Sequence, residues 1–117
     1  MEAPGDSYHI QRVRAGDKEV FSRLVDRYKD MVYTLCLRML GNEMDAAEAA
    51  QDVFLKAYRG IASFQEKSKF STWLYRIAYN HCISVIRRKV KVIDLVDEVP
   101  GGDETGTALT GLDALAR

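Results

Sequence analysis

Only two cysteines, two prolines, two histidines and one tryptophan occur in 117 residues. Cys36 and Cys82 are too few for a disulfide framework. Both fall in helical patterns, where a buried free thiol is the expected state. Cys82 has no partner at CxxC or HxxxC spacing, so zinc is not expected. The prolines stand at positions 4 and 100, and the interval between them lacks the strongest helix breaker. No apolar run approaches the roughly 20 residues that cross a bilayer. The opening Met1-Glu2-Ala3-Pro4-Gly5-Asp6 has neither the basic nor the apolar region of a signal peptide. These absences point to a soluble cytosolic chain with no membrane insertion. There is no glycine-rich phosphate loop and no nucleophile–base pattern. Of the two histidines, His9 and His81, the second lies on the apolar side of its helix, the place of a packed core residue. No enzyme activity, metal or cofactor is expected.

Hydrophobic residues make up 47% of the chain, enough for one small domain with a modest core. The formal net charge of zero conceals segregation. Residues 56–91 hold nine bases against a single acid, Glu66, while the segments on either side are net acidic. Such a block has the electrostatics of a polyanion binder.

Helical periodicity dominates the chain, and no strand alternation persists. A short helix is expected over 7–15, stopped by Gly16. Asp17 is expected to cap a second helix, with the apolar stripe Phe21, Leu24, Val25, Tyr28, Val32, Leu35, Cys36 and Met39. Gly41-Asn42 ends it. A third helix starts near Asp45, which can cap it, with Ala46, Ala49, Ala50, Val53, Phe54, Ala57 and Ile61 inward. Residues 63–70 read as a loop. A fourth helix is expected over 71–89, with Trp73, Leu74, Ile77, Ala78, His81 and Val85 inward. From Ile93 onward, glycines, Pro100 and scattered acids read as a linker or frayed terminus. The expected fold class is all-α, a compact bundle of three main helices plus a short N-terminal helix.

Three constellations carry candidate chemistry. On the fourth helix Arg76, Asn80, Ser84, Arg87 and Lys91 recur at spacings of four, four, three and four residues, one helical face. The bases suit phosphates, and the Asn80 amide offers a donor and an acceptor for one base edge. Arg87, Arg88 and Lys89 serve equally well as partners for the last helix carbonyls. In the loop, Phe64 and Phe70 bracket Lys67 and Lys69, near Lys56, Arg59, Trp73 and Tyr75. Rings that stack on unpaired bases, interleaved with cations that follow a backbone, are what single-stranded nucleic acid requires. Phe64, Phe70 and Trp73 fit a core equally well. On the third helix Glu48, Gln51, Asp52 and Leu55 share the side away from the apolar stripe, a face that water alone would also explain.

The run Gln51-Asp52-Val53-Phe54-Leu55-Lys56-Ala57-Tyr58-Arg59, then Phe64, then Phe70-Ser71-Thr72-Trp73-Leu74-Tyr75-Arg76-Ile77-Ala78-Tyr79-Asn80, resembles region 2 of extracytoplasmic-function (ECF) bacterial sigma factors. Gly16-Asp17, Phe21, Leu24 and Tyr28 are similar to that family's opening segment. The resemblance covers about residues 8–91. It implies a sigma factor region 2 fold over 1–92, with 93–117 an acidic, glycine-rich linker. It also implies a transcription initiation factor, of a kind tied to stress responses, that binds RNA polymerase core and the melted promoter −10 element. Glu48, Gln51, Asp52 and Leu55 would then meet the clamp helices of the polymerase β′ subunit. Lys56, Arg59, Phe64, Lys67, Ser68, Lys69, Tyr75, Arg76, Asn80, Ser84, Arg87 and Arg88 would face the non-template DNA strand, with the loop capturing a flipped base. An anti-sigma factor is a further partner that the family implies. Two departures stand out. The third helix opens on Asp45-Ala46-Ala47-Glu48-Ala49-Ala50, where the family carries larger aliphatics, and the family's region 4, which reads the −35 element, is missing. A fragment or excised domain is therefore expected. The competing reading is a helical module that binds only a protein partner, but such a module gains little from nine bases against one acid.

Overall fold

The computed structural model describes residues 5–96, with side chains to Ile93. Four α-helices follow one another: α1 Asp6–Arg14, α2 Phe21–Leu40, α3 Glu43–Gly60 and α4 Phe70–Val96. One-turn 3-10 helices, Lys18–Val20 and Ile61–Ser63, lead into α2 and out of α3. No strand occurs among the described residues, and the all-α expectation holds. The chain divides into two compact units within α4, between Cys82 and Ile83. The first holds α1, α2, α3 and the opening turns of α4; the second holds the rest of that helix.

Each helix has a local cause. In α2 the buried residues Phe21, Leu24, Val32 and Cys36 fall on one stripe. The helix stops at Gly41, whose φ of 71° closes a left-handed cap while its N–H donates to the Leu37 carbonyl at 2.8 Å. A side chain there would carry the steric cost of that conformation. One residue later Asn42 opens α3, its Oδ1 accepting from the Asp45 N–H at 3.0 Å. The cap is therefore Asn42, and Asp45, expected in that role, lies three residues inside, where its charge suits the helix N-terminus. Asp17 does not cap α2 either. Its carboxylate pairs instead with Arg12 at 2.9 Å, and the intervening 3-10 turn starts the helix. The fourth helix runs from Phe70 to Val96 rather than 71–89, because neither glycine nor proline interrupts it before Pro100. The stretch 93–96, expected as linker, is thus helical, and the expected acidic tail from 97 onward lies outside the described residues.

The core of the first unit is built where these stripes meet. Leu24 and Val32 of α2, Ala46 and Val53 of α3, and Leu74 and Ala78 of α4 are fully buried. Each large aliphatic contributes roughly 1.5–3 kcal/mol through burial. The α3 stripe is rich in alanine, which lets α2 and α3 pack closely against each other. Phe21 meets Tyr58 edge-on at 5.2 Å and ties the start of α2 to the end of α3. Cys36 and Cys82 are buried free thiols, as expected. Hydrogen bonding to Cys82 and burial together push the Cys36 thiol up, which keeps it protonated and unreactive.

Candidate nucleic-acid and polymerase interfaces

The loop between α3 and α4 is built on aromatic rings. Phe64 lies 4.9 Å from Trp73 and 5.9 Å from Phe70, and Phe70 reaches Tyr28 of α2 at 5.6 Å. Phe64 is only 5% exposed and Phe70 only 3%. Expected as a possible stacking platform for a base, Phe64 is instead a core residue whose faces are occupied by Trp73 and Phe70. Gly60 stands against this cluster, where a Cβ would lie 3.4 Å from the Trp73 indole, an ordinary van der Waals contact.

Against this aromatic floor the loop borders an open cavity of about 430 Å³. Asp6, Ser7 and Ile10 of α1 form one wall and Tyr28 of α2 another; Phe64, Glu66, Ser68 and Lys69 of the loop complete it with Phe70 and Ser71. Phe64 thus borders the cavity without being exposed. The walls are braced by charge. Asp6 accepts from the Tyr28 hydroxyl and from Arg27. Burial, with this hydrogen bond to Asp6, pushes the Tyr28 phenol up to about 12, so it stays a donor.

Glu66 is the hinge of the loop. Its φ of 55° lies in the left-handed region. Its Oε2 accepts from Gln11 at 3.1 Å and Arg14 at 3.4 Å, and the same Arg14 donates through Nε to the Ile61 carbonyl at 3.2 Å. The single acid of the basic segment therefore fastens the loop to α1. Replacing Glu66 by alanine removes both contacts and keeps the strained backbone, at an expected cost of about 1 kcal/mol. Glu66→Gly loses the same side chain but regains about 1 kcal/mol from the relaxed φ, and should match or exceed the alanine variant in urea unfolding. The reverse order would show that the backbone at this position carries no strain.

The remaining expected residues are exposed. On α4, Tyr75, Arg76, Asn80, Ser84, Arg87 and Arg88 all reach solvent, the last three beyond Cys82. Arg88 Nε also donates to the Ser84 carbonyl, 3.4 Å away. With α4 continuing to Val96 this is an interior carbonyl, so Arg87, Arg88 and Lys89 do not stand at the last carbonyls of the helix, the alternative open to them in the sequence. Lys67 and Lys69 are exposed and Ser68 half-buried on the loop, and Arg59 is exposed at the end of α3. Tyr75 borders a separate groove of about 320 Å³ against Asp30, Met31, Thr34, Leu35 and Arg38 of α2.

On α3, Glu48 and Gln51 are exposed, Asp52 half-buried, and Leu55 exposed at 51%. Met44, one turn earlier on the same stripe, is 82% exposed, a large apolar side chain that charge-led reading passed over. Lys56 is exposed but not idle: its Nζ lies 2.8 Å from Nδ1 of His81, a buried residue of α4. The sequence reading also missed the α1 side of the cavity, for which Glu66, lone acid among nine bases, was the available signal.

Comparison with known proteins agrees with this architecture. The Sigma-70 region 2 family matches residues 24–92. The ECF RNA polymerase sigma factor SigW of Bacillus subtilis is 50% identical over 92 residues, covering 79% of this chain and 49% of its own length. The ECF RNA polymerase sigma-E factor of Haemophilus influenzae is 37% identical over 111 residues, 92% of this chain and 58% of that protein. The chain thus spans about half the length of these curated relatives. Among solved structures, an engineered region 2 of sigmaE in complex with GTAAAA superposes with a TM-score of 0.69 at 35% identity, covering 85% of this chain and 99% of that one. With the family matched over residues 24–92 and these identities, the chain belongs to the sigma-70 region 2 family, in its extracytoplasmic-function branch.

Proposed function

We propose that this domain acts in transcription initiation in the cytoplasm, docking on RNA polymerase core and holding the melted −10 element by its non-template strand. The observation that carries this reading is the cavity beside the basic segment, walled by Ser68, Lys69 and Glu66 and floored by Phe64 and Phe70. It is large enough for one extruded base, and its rim carries Lys69, with Lys67 exposed on the same loop. Extruding a base costs a few kcal/mol of stacking and pairing. A preformed pocket with phosphate contacts from Lys56, Arg59, Lys67, Lys69 and Arg76 of the first unit offsets that cost without ATP; Arg87 and Arg88 of the second unit are phosphate contacts in their own right. The domain therefore traps an open strand and performs no chemistry on it. The relative solved with GTAAAA supports a single-strand ligand of this kind.

Polymerase docking belongs to the opposite chemistry, the acidic α3 stripe of Glu48, Gln51 and Asp52 with Leu55, met by the β′ clamp helices. The apolar ends of that stripe, Met44 and Leu55, also suit an anti-sigma factor competing for the same face.

Asn80 is the base reader on α4 in this reading. Asn80→Ala is expected to cut the preference for a matched over a scrambled −10 strand by about tenfold, the loss of one good base-edge contact. Affinity for the scrambled strand should change little. Fluorescence anisotropy with both strands measures this, and an equal loss on both would remove Asn80 from base reading.

A further inference from the structure

Asp52 and Lys56 stand one turn apart on α3, the spacing and order at which a carboxylate and an ammonium ordinarily pair. They do not pair with each other. The ring of His81, only 5% exposed, reaches in from α4 between them. Lys56 Nζ lies 2.8 Å from Nδ1, and Asp52 Oδ2 lies 3.6 Å from Nε2. A lysine ammonium has donors only, so Nδ1 must be the bare acceptor. The proton of a neutral imidazole then sits on Nε2, on the side of the carboxylate. The ring therefore holds the ammonium by a hydrogen bond at Nδ1, while the carboxylate stands 3.6 Å from Nε2, in charge contact but beyond hydrogen-bond distance.

We propose that His81 is a positioning residue that keeps the Asp52 carboxylate and the Lys56 ammonium from neutralising one another, so that α3 presents an anion to polymerase and a cation to a DNA phosphate from a single turn. The inference rests on the roles given above to Asp52 and Lys56, and it extends them to a residue that touches neither partner. Lys56 keeps two further N–H donors for phosphate while His81 holds its stem in place. Without the Nδ1 acceptor, the Lys56 ammonium turns to the Asp52 carboxylate one turn away as an ordinary helix pair, and both surfaces lose their charge.

The test uses the full chain and strand binding by anisotropy. In His81→Phe, which fills the same space without nitrogens, Lys56 is captured by Asp52. Strand affinity is expected to fall about tenfold, as for a lost charged hydrogen bond. The slope of log affinity against log salt is expected to fall by about 0.7, one phosphate contact on a single strand. Adding Asp52→Asn to His81→Phe should restore both, because the captor is gone. Adding Glu48→Gln instead removes the same charge from elsewhere on α3 and should restore neither. Strand affinity retained in folded His81→Phe, or no rescue by Asp52→Asn, overturns the proposal and leaves His81 a packing residue. The ¹⁵N shifts of the imidazole in the unaltered chain give a second measurement that needs no variant. Nδ1 is expected as a bare acceptor and Nε2 protonated at neutral pH, and the opposite tautomer overturns the arrangement. If the unaltered chain binds no strand at all, the nucleic-acid reading fails, while the imidazole spectrum still judges the placement of His81.

Discussion

Phe70→Ala is expected to cost about 3–5 kcal/mol of folding stability, the range for an aromatic removed from a packed core. The ring is 3% exposed and touches Tyr28, Phe64 and Trp73 at centroid distances of 5.6, 5.9 and 5.6 Å. Three partners from α2, the loop and α4 therefore lose contact at once. Domains of this size are stable by roughly 5–15 kcal/mol, so a large part of the total is at stake. Urea unfolding followed by helical circular dichroism reads the loss directly. Tyr75→Ala is the control: Tyr75 is 46% exposed, and its removal should cost less than about 1 kcal/mol. Similar costs for the two would mean that the aromatic floor contributes little to the fold. The same substitution also opens the floor of the 430 Å³ cavity, so strand binding should fall even where the variant remains folded. Stability and recognition are joined here because the residues that close the core also shape the pocket.

The helices were legible in the sequence because their signal is local. Leu24, Val32 and Cys36, or Leu74, Ala78 and Cys82, repeat at helical spacing and are buried where that spacing puts them. Helix ends were less legible, because several residues compete for each one. Asn42 and Asp45 are both good caps, and geometry decides for Asn42. Asp17 is a good cap too, but Arg12 takes its carboxylate. The polar stripes of α3 and α4 were legible for the same reason as the core: exposure at Glu48, Gln51, Arg76 and Asn80 follows from periodicity. What the pattern could not carry is contact between distant segments. Glu66 meets Gln11 and Arg14 across more than 50 residues, and Asp6 meets Tyr28 across 22. No spacing rule brings α1 to the loop between α3 and α4. Phe64 shows the same limit, since a phenylalanine in a basic loop suits a stacking platform and a core alike, and only the position of Trp73 decides. His81 was correctly placed on the buried side, yet burial alone gave no hint that a lysine would lie against one of its nitrogens.

Asp52→Arg is expected to weaken binding to core polymerase by about 30-fold or more, since breaking a close interfacial charge pair costs 2–5 kcal/mol or above. The carboxylate is well placed for such a pair. Its side chain is 46% exposed, enough to meet a partner, and its Oδ2 lies 3.6 Å from Nε2 of His81. Arginine reverses the charge and also sets a cation beside Lys56 and His81, so the helicity of the variant must be checked by circular dichroism. Asp52→Asn separates the two effects: it keeps an acceptor near His81 and removes only the charge, and should give a smaller loss. Binding of the labelled domain to core polymerase, followed by anisotropy, orders the three proteins. The expected order is unaltered chain, then asparagine, then arginine, with strand binding by the asparagine variant measured alongside. Equal polymerase affinity in all three, with native helicity, would show that docking runs through other parts of the surface. The exposed pair Met44 and Leu55 would then be the first alternative, since an apolar contact is indifferent to the charge at Asp52. A graded loss instead fixes the acidic stripe of α3 as the polymerase-facing side. The domain would then bind polymerase through the anions of one helix and DNA through the cations of the loop and the next helix, with Asp52 and Lys56 held apart where the two surfaces meet.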